Sequence, residues 1–185
     1  MIGFIRVNLY SFIMVFFSVI ASVLIGNFIE NFKFLVTLAF GAKILAFLLW
    51  GPACLIGILL AKTFQYFFFT SFDVSLDIAF TLSLVAISGP LISMYLMKIS
   101  NVSSIFQLKD IDFRHVVFFI VISSMFSSLF KYTYMMQDFD LSYHAAEALL
   151  SSLIGQLFGG LFFVYTAIKF SPQIYVLLKK FDQAR

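Results

Sequence analysis

Charge is what this chain has least of. Only 11% of its 185 residues are Asp, Glu, Lys or Arg, against about 25% in an ordinary soluble domain, and a soluble fold of this size is excluded on that ground. Cysteine is nearly absent as well: Cys54 stands alone inside an apolar run, which excludes a disulfide framework or a cysteine-rich metal centre built from this chain. It reads as a small packing residue. The sequence also lacks paired mid-span carboxylates, a nucleophile beside a recognisable base and a glycine-rich phosphate loop, so no catalysis, no cofactor and no metal are expected. His115 and His144 flank apolar runs rather than interrupt them, which leaves a metal or pH-sensing pair as the minor alternative. Twelve Lys and Arg outnumber nine acids, but they are spread between runs instead of forming a stripe, which argues against nucleic acid as a partner.

What is present is apolar surface. Hydrophobic residues make up 62% of the chain and Phe alone fills 27 positions. They gather into runs at residues 7–28, 34–49, 52–69, 76–97, 115–135 and 145–168, and runs of this length point to helices crossing a hydrocarbon core about 30 Å thick. The expected fold class is all-α: a polytopic transmembrane helical bundle of about six spans, one domain over 1–185 in contact with the lipid bilayer, with a cytoplasmic tail at 170–185. The first run is longer than the core of a secretory signal and no small-x-small cleavage site follows it, so it reads as a retained helix. The run at 34–49 is short for a perpendicular crossing and reads either as a thin span or as a broken, partly re-entrant element. Gly51-Pro52 separates it from the third run, and Gly89-Pro90 predicts a kink in the fourth.

Short loops rich in Lys and Arg stay in the cytoplasm. Arg6, the loop with Lys98, Lys109 and Arg114, and the tail with Lys169, Lys179, Lys180 and Arg185 fall on one side; Glu30 with Lys33, then Asp73, then Asp138 and Asp140 fall on the other. Both termini are therefore expected in the cytoplasm. Failure of 34–49 to cross would move the N-terminus to the outer side.

Polar side chains inside the runs carry the functional signal. A lysine at mid-membrane costs about 2.5–3.5 kcal/mol, so Lys43 and Lys62 either line a positively charged cavity for an anionic ligand or snorkel to a nearby interface. Lys62, Gln65 and Tyr66 share one helical face at i, i+3 and i+4, and Gln156 stands beside a small-residue contact where it hydrogen-bonds across the interface or to a ligand. The expected ligand-binding set is Lys43, Lys62, Gln65 and Gln156. In the fifth run Ser124, Ser127 or Ser128, and Lys131 form a polar stripe; the serines read as helix-packing residues and Lys131 as solvated near the outer end. Gly155 and Gly159 have the small-xxx-small spacing of a tight helix contact, either within the chain or in a homo-oligomer. Asp77 and Glu147 complement the positive ends of their helices.

The segment Phe40-Gly41-Ala42-Lys43 through Leu48-Leu49-Trp50-Gly51-Pro52 to Gly57-Ile58-Leu59-Leu60-Ala61, together with Asp112-Phe113-Arg114-His115 and Gly155-Gln156-Leu157-Phe158-Gly159-Gly160, resembles the integral-membrane sensory domain family called MASE1 in a stand-alone form. The shared cadence is a Gly-x-basic start, an apolar stretch, an aromatic-Gly-Pro break and a glycine-containing helix. Lys43 stands where the relatives often carry arginine, which keeps the charge but gives up the bidentate fork. The resemblance implies a multi-helix module of the bacterial cytoplasmic (inner) membrane that detects a signal and, lacking a fused output domain here, acts on a separate membrane or cytoplasmic protein. The functional expectation is a non-catalytic sensory or ligand-binding module; the alternatives are a small transporter or substrate-binding transporter subunit, and a structural subunit of a larger membrane complex.

Overall fold

The computed structural model describes residues 2–28, 38–69, 74–100, 113–139 and 145–183. They form α1 (Ile2–Phe28), α2 (Leu38–Trp50), a 3-10 turn (Gly51–Cys54), α3 (Leu55–Phe69), α4 (Leu76–Ile99), α5 (Phe113–Phe139) and α6 (Ala145–Gln183). The all-α membrane character is as expected, but the count of about six spans is not obtained. Among the described residues, five segments are long and apolar enough to cross a membrane: Gly3–Leu24, Leu38–Phe69, Leu76–Ile99, Arg114–Tyr134 and Leu149–Phe170. The runs expected at 34–49 and 52–69 merge into one 32-residue segment, because the 3-10 turn joins α2 to α3 without an intervening loop.

That segment nevertheless doubles back. Ala39 and Tyr66 line the same cavity, whereas a straight helix would hold them about 40 Å apart. The reversal falls at Gly51, whose φ of 58° lies in the left-handed region that glycine enters without penalty, and Pro52 starts the 3-10 turn. Each arm is only about 20 Å long, shorter than a hydrocarbon core of about 30 Å. Because the arms return together, the hairpin delivers the chain to the end of the bundle from which it entered. The side of the N-terminus therefore does not depend on how deeply the bend reaches, which corrects the expectation that a non-crossing 34–49 would flip it.

α1 wedges against both arms. Asn8 accepts the Gly57 N–H through Oδ1 at 2.8 Å, a donor in the first turn of α3 of the kind a helix start leaves open, and Ser11 Oγ donates to the Cys54 carbonyl at 3.3 Å. The remaining contacts close a ring in the order α1, α3, α4, α5, α6, α2. Glycine permits the tightest crossings: a Cβ on Gly57 would strike the Asn8 carbonyl, and one on Gly41 would strike Phe163 and lie 2.8 Å from the Gly159 carbonyl. Phe47, Ile58, Met97, Phe119 and Val164 fill the interior, while Phe17, Phe68, Phe158 and Phe162 are exposed on the periphery, where hydrocarbon would cover them.

Charges are segregated by end. Contacts such as Gly89 against Ser123 and Lys43 against Ala86 set the helices so that exposed Arg6, Lys98, Arg114 and Lys169 share the end nearest the Gly51 bend, with exposed Asp77 and Glu147 at the opposite end. Glu30, Asn31, Lys33, Asp73, Lys109, Asp110, Asp112, Asp140 and His144 lie outside the described residues, as do the side chains of Asp138 and of the 170–185 tail beyond Phe170. In that tail the backbone of α6 continues to Gln183.

Candidate functional site

The centre of the ring holds a cavity of about 130 Å³ lined from all six helices. α1 contributes Ser22; α2 Ala39, Phe40 and Lys43; α3 Lys62, Gln65 and Tyr66; α4 Ala86; α5 Ser127 and Lys131; and α6 Ser152 and Gln156. These positions range from the terminal turn to about three turns in from the helix ends leading to residues 29–37, 70–73 and 140–144. The cavity is thus offset toward the end bearing Asp77 and Glu147.

Lys43 is 2% exposed and Lys62 7%, so neither side chain snorkels. The placement of Lys43 follows from Pro90. A proline has no N–H, and within α4 it leaves the carbonyl four residues earlier, that of Ala86, without its helical partner. Lys43 Nζ donates to that oxygen at 2.6 Å, and Ser127 Oγ reaches it at 3.4 Å. Gly89 makes the second contact feasible, because a Cβ there would strike Ser127 Oγ and lie 2.7 Å from the Ser123 carbonyl. The Gly89-Pro90 pair lies within α4 and serves as a docking point for α2 and α5. The Lys43 ammonium also lies 4.6 Å from the centre of the Phe40 ring, within cation–π range.

Lys62 donates to Gln65 Oε1 at 2.7 Å, the one-turn pairing that their spacing predicts. Thr63 ties the same helix to α4 through Ser83 Oγ at 3.2 Å. Gln156 donates from Nε2 to Ser152 Oγ at 3.1 Å, while its Oε1 is buried with no hydrogen-bond partner. The four residues expected to bind ligand therefore converge on one space.

Lys131 is the lining residue that the sequence reading left out of the site: it is half-buried and lines the cavity from α5. The three lysine side chains line the same cavity, and no Asp or Glu occurs among its described lining residues. Each lysine carries three donors, and Lys43 and Lys62 each direct one of them at a single protein acceptor. The chemistry offered is a desolvated, donor-rich, positively charged pocket.

The packing residues are placed as follows. Ser124 is buried and donates to the Val121 carbonyl at 2.8 Å; Ser127 works at the α4 crossing described above. Gly155, Gly159 and Gly160 are buried, and the Gly159 contact is made within the chain, against Gly41 of α2. His115 is half-buried at the start of α5. Among the described residues no cluster of His, Cys, Asp and Glu is placed to hold a metal ion.

Comparison with protein-family models, curated proteins and solved structures finds no match for this chain. Its function has to be argued from the cavity.

Proposed function

We propose that the chain is a non-catalytic ligand-binding module of the bacterial cytoplasmic membrane, that the central cavity receives an anionic ligand, and that occupancy is passed to a separate protein. The observation behind this is the meeting of Lys43, Lys62 and Lys131 around one space with no carboxylate among its described lining residues. Buried like charges oppose folding, and apolar side chains of similar size are often as stable or more so. Cations held at that cost are explained by an anion that offsets them, and the orphaned Gln156 Oε1 supplies an acceptor for a ligand hydroxyl or amine. The basic end of the bundle supports a reading in which both termini are cytoplasmic and the cavity opens toward the outer side. α6 extends from Phe170 to Gln183 past the apolar span, about 20 Å of helix available to contact a partner, as the sensory-module resemblance implies.

A second reading, a substrate-binding transporter subunit, draws on the hairpin: discontinuous helices meeting at a polar site are a feature of transporters, and Lys43 and Lys62 sit on opposite arms. Native mass spectrometry of the gently solubilised chain tests the shared claim. Wild type should retain an anionic small molecule or lipid that Lys43→Met and Lys62→Met both lose; equal retention by wild type and both variants rejects the site. Uptake of the retained ligand into vesicles holding this chain alone would favour transport over sensing.

A further inference from the structure

We infer that the occupant is a phosphoryl group, either inorganic phosphate or the terminal phosphate of a small or lipid monoester; this rests on the anion site proposed above. The first argument is the number of donors. Lys43, Lys62 and Lys131 reach the cavity from α2, α3 and α5, while α1, α4 and α6 present only neutral groups to it, and Lys43 Nζ crosses the ring to the Ala86 carbonyl of α4. A phosphoryl group offers three terminal oxygens splayed about phosphorus to these three cations, whereas a carboxylate offers two oxygens in a plane. Lysine serves such oxygens as a point charge.

Charge gives the second argument. A single carboxylate would leave two of the three ammoniums uncompensated, whereas a phosphate monoester carries close to two negative charges near neutral pH. Size gives the third: about 130 Å³ is near the roughly 150 Å³ cavity that accepts benzene, enough for a phosphoryl group and a few attached atoms. Finally, Gln156 Oε1 is a buried acceptor without a partner, and buried polar groups are rarely left so. A P–OH of hydrogen phosphate, or a hydroxyl beside the ester oxygen, would satisfy it.

The test uses the full chain in phosphatidylcholine nanodiscs at constant ionic strength, with the thermal unfolding midpoint read against inorganic phosphate, succinate and acetate, and in separate discs containing phosphatidic acid. A rise with phosphate, phosphatidic acid or both, exceeding that with succinate, is the expected result. Response to phosphatidic acid alone identifies a lipid headgroup as the source; response to inorganic phosphate identifies a soluble one. The triple variant Lys43→Met, Lys62→Met, Lys131→Met should show no rise. Should it fail to fold, Lys131→Met alone should weaken the apparent affinity several-fold, as loss of a half-buried charge partner does. Stabilisation by succinate but not by either phosphate form overturns the phosphoryl assignment and leaves the anion site standing. Absence of response to every anion overturns both, and an undiminished phosphate response in the variants places the binding elsewhere.

Discussion

Lys43 joins a cost in stability to a gain in binding, and the two can be separated. Replacing a buried charged group with an apolar one of similar volume is often neutral or stabilising by about 1–4 kcal/mol, so Lys43→Met should leave the ligand-free midpoint unchanged or raised while abolishing ligand protection. A large loss of ligand-free stability would mean instead that the Ala86 hydrogen bond holds the fold. Pro90→Ala should act in the opposite place: it returns a backbone N–H to the Ala86 carbonyl, competes with Lys43 for that oxygen and weakens ligand binding several-fold while helix stability is kept. Circular dichroism with a binding titration reads both effects. The spacing of Lys62, Gln65 and Tyr66 made their common face legible in the sequence, and Lys43 announced itself by its cost in hydrocarbon. Lys131 did not, because its depth relative to α2 and α3 is set by how α4 and α5 cross at Gly89 and Ser127, contacts between residues far apart in the chain. The freed carbonyl of Ala86 follows from Pro90 alone; which cation claims it does not.

Among the elements, the hairpin of α2 and α3 depends most on a few contacts. Gly57→Ala would drive a methyl group into the Asn8 carbonyl, and overpacking of this kind costs about 1–3 kcal/mol. Asn8→Ala removes the acceptor of the Gly57 N–H and should cost about 1 kcal/mol, the scale of a lost helix cap. Unfolding in denaturing detergent measures both, and neither should alter the stoichiometry of bound anion. The boundaries of α4 were nearly readable, since residues 76–97 fall within Leu76–Ile99 and Ser75 caps its start by accepting from Ile78 N–H. Two features were not. Hydropathy cannot distinguish a crossing from a folded arm when both are apolar, so the run at 34–49 stayed ambiguous. Polar composition after Ile168 ended the apolar run without ending the helix, because water supports the hydrogen-bonded backbone of α6 as well as hydrocarbon does.

For the whole molecule, the segregated charges make orientation testable. Cys54 is buried and is the single cysteine of the chain, so a Cys54→Ala background can carry one probe at a time. Cysteine introduced at Lys98 should react with an impermeant reagent only from the cytoplasmic side, and at Asp77 only from the outer side. Pro52, exposed at the bend, separates the two depths of the hairpin: labelling together with Lys98 means that both arms cross, and protection from both sides means that they stop within the bilayer. In either case the termini share one side, and opposite labelling of Arg6 and Lys169 positions would contradict the arrangement of helices described here.

The central claim is that three lysines inside the ring hold an anion, and the ammonium groups themselves report it. In a chain carrying 15N at lysine Nζ, addition of inorganic phosphate or of phosphatidic acid should shift the resonances of Lys43, Lys62 and Lys131 together while those of exposed Lys98 and Lys169 stay in place. Movement of the exposed lysines with the three interior signals unchanged would contradict it.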